Sequence, residues 1–170
     1  KLALADLRGR LRGERLRGSG SIERRGARWD VRDASLRLGN AQLTLQAQLA
    51  DTIEAQWQLR APALERLLPE TRGSITFSGE AHGARAAPHI SASLRGTRLA
   101  FRDWAAAALT LDGEIDASNT QTSKLVARAE RIGHGERRVD TVALAGNGTL
   151  LDHRITLDVQ ASAGTAEPPS

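Results

Sequence analysis

From Ala34 to Pro62 the chain reads ASLRLGNAQLTLQAQLADTIEAQWQLRAP, with apolar residues recurring at every second position between small or polar breaks. Leu36 and Leu38 form one set, Leu43, Leu45 and Leu49 a second, and Ile53, Trp57 and Leu59 a third. Period-2 alternation puts one class of side chain on each face of a strand. The pattern resumes at Ile75 and Phe77, at Ile90 and Leu94, and at Leu109, Leu111 and Ile115. It returns at Leu144 and again at Ile155, Leu157 and Val159. Together these positions predict one long apolar face, and that face has to be covered by something.

Strand signals recur at spacings of about ten residues, the all-β signature. The predicted strands are 2–11, 16–24, 28–38, 41–49, 53–60, 73–82, 89–99, 101–117, 124–132, 139–149 and 153–161. Breaks are expected at Gly26, Gly39-Asn40, Gly83, Gly96, Asn119, Gly133 and Asp152, where turn chemistry is present. Glycines inside strands, at Gly9, Gly18, Gly20, Gly79 and Gly113, predict bends or bulges. The only helical signal is PALERLLPE, with Pro62 suited to a first helical position and Pro69 ending the run, so one short helix is expected near 63–68.

No helix of that size covers the apolar face of a ten- or eleven-strand sheet. Three architectures remain: a closed barrel, two facing halves, or a long antiparallel meander curled into an open trough with an apolar interior. The meander lacks the long crossovers of a Greek key, and a sheet of this many strands curls. At 170 residues the chain suits one sizeable domain. It is expected over 1–164, followed by a flexible tail at 165–170. With no initiator Met and an ending in TAEPPS, the chain reads as a piece of something longer.

Composition removes several classes of function. There is no Cys, hence no disulfide framework and no thiol chemistry. No apolar run approaches the length of a transmembrane helix. The 24 basic residues, nearly all Arg, exceed the 20 acidic ones for a net charge of +4. Acidic residues are interspersed, as on a solvated surface. The most basic stretch, Arg8 to Arg28, has only Trp29 near it as a stacking platform, so no nucleic acid partner is expected.

The residues that carry chemistry form no constellation. His82, His89, His134 and His153 have no metal-ligand spacing, so no metal or cofactor is expected and the histidines are read as turn or surface groups. Asp112, Glu114 and Asp116 in LTLDGEID share one strand face and are expected opposite Arg128 or Lys124 rather than around calcium. GSGSIE lacks the Lys-Ser/Thr of a phosphate loop, and no G-x-S-x-G elbow occurs. No catalytic residue and no enzymatic activity are expected.

The interrupted centre, LRAPALERLLPETRGSITFSGEAHGARAAPHISASLRGTRLAF, runs strand, short helix, G-x-I-x-F-x-G, Gly-bounded turn, Pro and strand. With RLGNAQLTLQAQL before it and GNGTLLDHRITLDVQA after it, this order resembles the C-terminal region of the TamB family, the inner-membrane component of the translocation and assembly module, within the AsmA-like group. The resemblance spans about Leu16 to Ala161. It implies a periplasmic segment of a protein anchored in the inner membrane of a Gram-negative bacterium. It also implies a trough that carries phospholipid acyl chains, and a TamA-like outer-membrane barrel and outer-membrane protein substrates as partners. A chaperone-like or partner-docking module that carries no lipid is the alternative. The family supplies no catalytic residues, and the lining positions come from alternation alone.

Overall fold

The computed structural model describes residues 2–149 and 152–161; the expected tail at 165–170 lies outside the described residues. Eleven strands follow one another: β1 (Leu2–Leu11), β2 (Glu14–Arg25), β3 (Arg28–Leu38), β4 (Ala41–Leu49), β5 (Thr52–Ala61), β6 (Thr71–Ala84), β7 (Ala87–Phe101), β8 (Trp104–Asp116), β9 (Ser123–His134), β10 (Arg137–Gly148) and β11 (His153–Gln160). They form a single sheet in sequence order, and every neighbouring pair is antiparallel. The meander is therefore as expected. β1 and β11 are the two edges and are not paired to each other, so the sheet is open and not a barrel.

Packed facing halves are absent as well among the described residues. Extensive contacts between elements join each strand to its sequence neighbours, with one addition from the β5–β6 connection onto β6. The chain exposes 12281 Å², well above the roughly 8,100 Å² of a compact monomer of this mass. Among the described residues the buried apolar ones are few: Ala41, Ala47, Ala61, Leu64 and Ala81.

The predicted short helix is a single 3-10 turn, Leu64–Arg66. Pro62 and Pro69 leave too few donors between them for a regular helix to propagate. Leu64 nevertheless anchors a small cluster with Ala41 and Ala61, joined by Leu67, Ile75 and Leu99. The connection also reaches the β1–β2 turn. Arg12 Nη1 donates to the Leu67 carbonyl at 2.9 Å, and Glu14 and Arg66 form an ion pair at 3.6 Å. Because β3 and β4 lie between those elements in the sheet, this segment straps one end of it.

The glycines correct the sequence reading. Gly9, Gly18, Gly79 and Gly113 sit in regular register, and only Gly20 falls at a bulge, between Ser19 and Ser21. Other bulges lie between Val31 and Ala34 and between Arg72 and Ser74. Left-handed backbone at Asp33 (φ 51°) marks the first of these, and Arg98 (φ 50°) faces the second. Gly83, Gly96 and Gly133, expected as breaks, are inside β6, β7 and β9, so the hairpins there run longer than predicted.

Candidate functional site

Residues directly opposed across an antiparallel ladder lie on the same face, so the register traces the apolar surface. One row begins at Leu7 and Gly18 and continues through Leu36, Leu43, Leu59, Phe77, Leu94, Leu111, Ala127, Leu144 and Leu157. It crosses all eleven strands. At about 4.8 Å per strand, its ten steps span about 48 Å.

Parallel rows flank it on the same face. One runs from Leu16 to Leu38 and Ala41, and across the other strands from Ala61 through Ile75, Gly96, Leu109, Ala129 and Val142 to Val159. On the other side runs Ala34, Leu45, Trp57, Gly79, Ala92, Gly113, Leu125, Gly146 and Ile155. Beyond it come Ile22, Val31, Ala47, Ala55, Ala81, Ile90 and Ile115. Trp29, Leu49 and Ile53 are opposed at the margin. The register thus brings every predicted lining position onto one face. Sequence reasoning missed Leu7 in β1, Leu16, Ile22 and Val31 in β2 and β3, Leu125, Ala127 and Ala129 in β9, and Val142 in β10. Their alternation is present, but Arg-rich or Ala-rich surroundings mask it.

Cover on this face is uneven. Trp57 and Phe77 have ring centroids 6.2 Å apart, and the Trp57 indole lies over Gly79. The Trp57 Nε1–H is buried without an acceptor among the described residues. Leu36 and Leu43 are more than a third exposed, and on the edge strand Ile155 and Leu157 reach 63% and 61%. The strap at 62–70 covers only the end at Ala41, Ala61 and Ile75.

The opposite face is polar, and two hollows open there. One, of about 840 Å³, lies over β4–β9, where Thr44, Gln46, Gln56, Gln58, Glu80, Ser91 and Glu114 present side chains. The second, of about 280 Å³, lies over β1–β4 and includes Arg17, Ser19, Ser35, Arg37 and Gln42. Neither hollow is lined by the apolar rows as a whole.

The polar face also holds the carboxylates. Glu114 opposes Lys124 as expected, whereas Asp112 pairs with Arg95 at 3.3 Å and Arg128 with Glu130. Asp116, only 5% exposed, organises the β8–β9 connection. Its Oδ1 accepts from the Ser118 hydroxyl at 2.6 Å and amide at 3.1 Å, and its Oδ2 from the Gln121 amide at 2.6 Å and the Thr120 hydroxyl at 3.1 Å. These bonds, the Ser118 hydroxyl foremost, hold its carboxyl well below the usual range. Asp30, 2% exposed, accepts from Arg28 Nε at 3.1 Å.

His82 stacks on His89 at 4.9 Å and His134 on Trp104 at 4.3 Å. Among the described residues no group of three or more His, Asp or Glu side chains is placed to hold a metal ion, and no helix is long and apolar enough to cross a membrane.

The family model described as TamB, N-terminal domain, matches residues 1–167. The family is the one the strand phrasing resembles, but the matching region is its N-terminal domain rather than its C-terminal region. No solved structure matches the chain.

Proposed function

The chain belongs to the TamB family, which takes part in outer-membrane assembly, and from that premise we propose that its apolar face carries phospholipid acyl chains between the inner and outer membranes. The observation that supports this reading is the unbroken row from Leu7 to Leu157. A row of about 48 Å exceeds the roughly 15 Å of one bilayer leaflet's hydrocarbon. It therefore suits a path rather than a pocket for one lipid.

Energetics favour the tail as the handle. Covering a methylene contributes about 0.8 kcal/mol, so a fourteen-carbon chain gains roughly 10 kcal/mol when fully covered. An exposed Arg offers a headgroup about 1 kcal/mol at most. The Leu, Ile and Ala surface binds without directional contacts, so chains of different length and saturation fit it. On this reading the segment is periplasmic, belongs to a protein anchored in the inner membrane, performs no catalysis, and works with a TamA-like outer-membrane barrel.

A second reading has its own support. β11 is an edge strand whose Ile155, Leu157 and Val159 are exposed. Extended strands of an outer-membrane protein, or of the partner barrel, can pair with such an edge. In that reading the segment docks strands and carries no lipid.

Organic-solvent extraction of the purified protein followed by mass spectrometry separates the two. Leu45→Asp or Leu111→Arg removes co-purified phospholipid while the β-type circular dichroism spectrum stays. Lipid content unchanged by both substitutions overturns the conduit reading. Pull-down of the outer-membrane partner that survives them but fails on alteration of β11 supports docking.

A further inference from the structure

On the polar face, away from the apolar rows, Arg8, Arg17 and Arg37 stand directly opposite one another on three adjacent strands. Like charges in that relation repel. Arg8 is paired with the Asp6 carboxylate. Neither Arg17 nor Arg37 forms an ion pair among the described residues. The Arg37 guanidinium donates to Gln42 Oε1 at 3.5 Å. Three guanidiniums against one carboxylate leave two positive charges in excess.

Arg17 and Arg37, together with Asp6, border the hollow of about 280 Å³. Beside them the Ser19 and Ser35 hydroxyls lie 3.0 Å apart, and the two residues are cross-strand partners. Only one of those hydroxyls can donate to the other, which leaves a hydroxyl proton to turn toward a ligand. Guanidiniums match an oxyanion in both charge and fork geometry. The space is large enough for a phosphate group and open enough to admit one still attached to an ester.

We propose that Arg17, Arg37, Ser19 and Ser35 form an oxyanion site that takes a phosphate group, free or as a phosphate ester. The site is independent of the acyl-chain reading, because none of its side chains lies on the apolar face. A bound phosphate relieves the repulsion between the two opposed guanidiniums, so occupancy stabilises the β2–β3–β4 part of the sheet.

The test is a titration of the protein at low ionic strength, followed by backbone NMR, first with inorganic phosphate and then with dihexanoyl phosphatidic acid below its micelle concentration. Both probes are expected to shift the Arg17, Ser19, Ser35 and Arg37 amides. A response to both identifies free oxyanion chemistry, and a response to the ester alone identifies a lipid headgroup. The Arg17→Gln/Arg37→Gln double variant, checked for fold by circular dichroism, weakens binding at least tenfold. Arg85→Gln, in the β6–β7 turn, leaves it within twofold. No shift with either probe overturns the proposal, and so does equal weakening by the double variant and Arg85→Gln.

Discussion

The Trp57 indole occupies the space above Gly79, its cross-strand partner, that a Cβ at that position would fill. A tryptophan of the apolar face is thus seated on a glycine, which explains that glycine inside an otherwise regular ladder.

Gly79→Ala is expected to destabilise the protein by about 1–3 kcal/mol, the usual cost of forcing extra volume into a packed site. Chemical denaturation followed by circular dichroism measures it. Adding Trp57→Leu reduces the cost without abolishing it, because the Ser91 carbonyl oxygen lies 2.6 Å from the same point.

Leu64 is the one large apolar side chain that is buried among the described residues, and it holds the strap against Ala41 and Ala61. Leu64→Ala is expected to cost about 2 kcal/mol, the low end for a buried leucine, since the site is small and near solvent. It also raises hydrogen exchange over 62–70, because the Arg12 and Arg66 contacts are too exposed to hold the strap alone.

Asp116 links the β8–β9 connection to pH. Its carboxyl is lowered in the folded state, so its stabilising contribution is complete above the ordinary carboxylate pKa of about 4. That contribution declines as the pH falls below this value toward the folded pKa. Asp116→Asn therefore lowers the denaturation midpoint at pH 7, and the gap to the native protein narrows at pH 2. A gap of constant size at both pH values contradicts this account of the loop.

Leu157 is exposed on a free edge strand. Leu157→Lys is expected to leave stability within about 0.5 kcal/mol, as for surface substitutions generally. It should also reduce concentration-dependent self-association measured by light scattering, since edge lysines block strand-to-strand pairing.

The strands and their shared face are legible because alternation is local. Leu43 and Leu45 follow the period in β4, Trp57 and Leu59 follow it in β5, and the ladder sets Leu43 opposite Leu59 and Leu45 opposite Trp57. What is not legible depends on tertiary register. Gly79 and Gly18 read as bends but make room for Trp57 and Leu36, while Asp33 and Arg98, ordinary by type, take up the left-handed backbone at the bulges. Where the polar-face hollows fall likewise depends on bulges and strand twist, which a period-2 pattern does not record. Asp116 reads as one of an outward acidic row, although the DASNTQTS segment carries the hydroxyls and amides that cage it.

Leu94 and Ser93 are consecutive residues on opposite faces of β7, in register with Leu111 and Asp112 respectively. A photo-crosslinking side chain placed at each, irradiated in cells and analysed by mass spectrometry, reports which face meets lipid. Lipid carriage on the apolar face gives phospholipid adducts at position 94 and none at position 93. Equal labelling at both positions, or labelling at 93 alone, contradicts it.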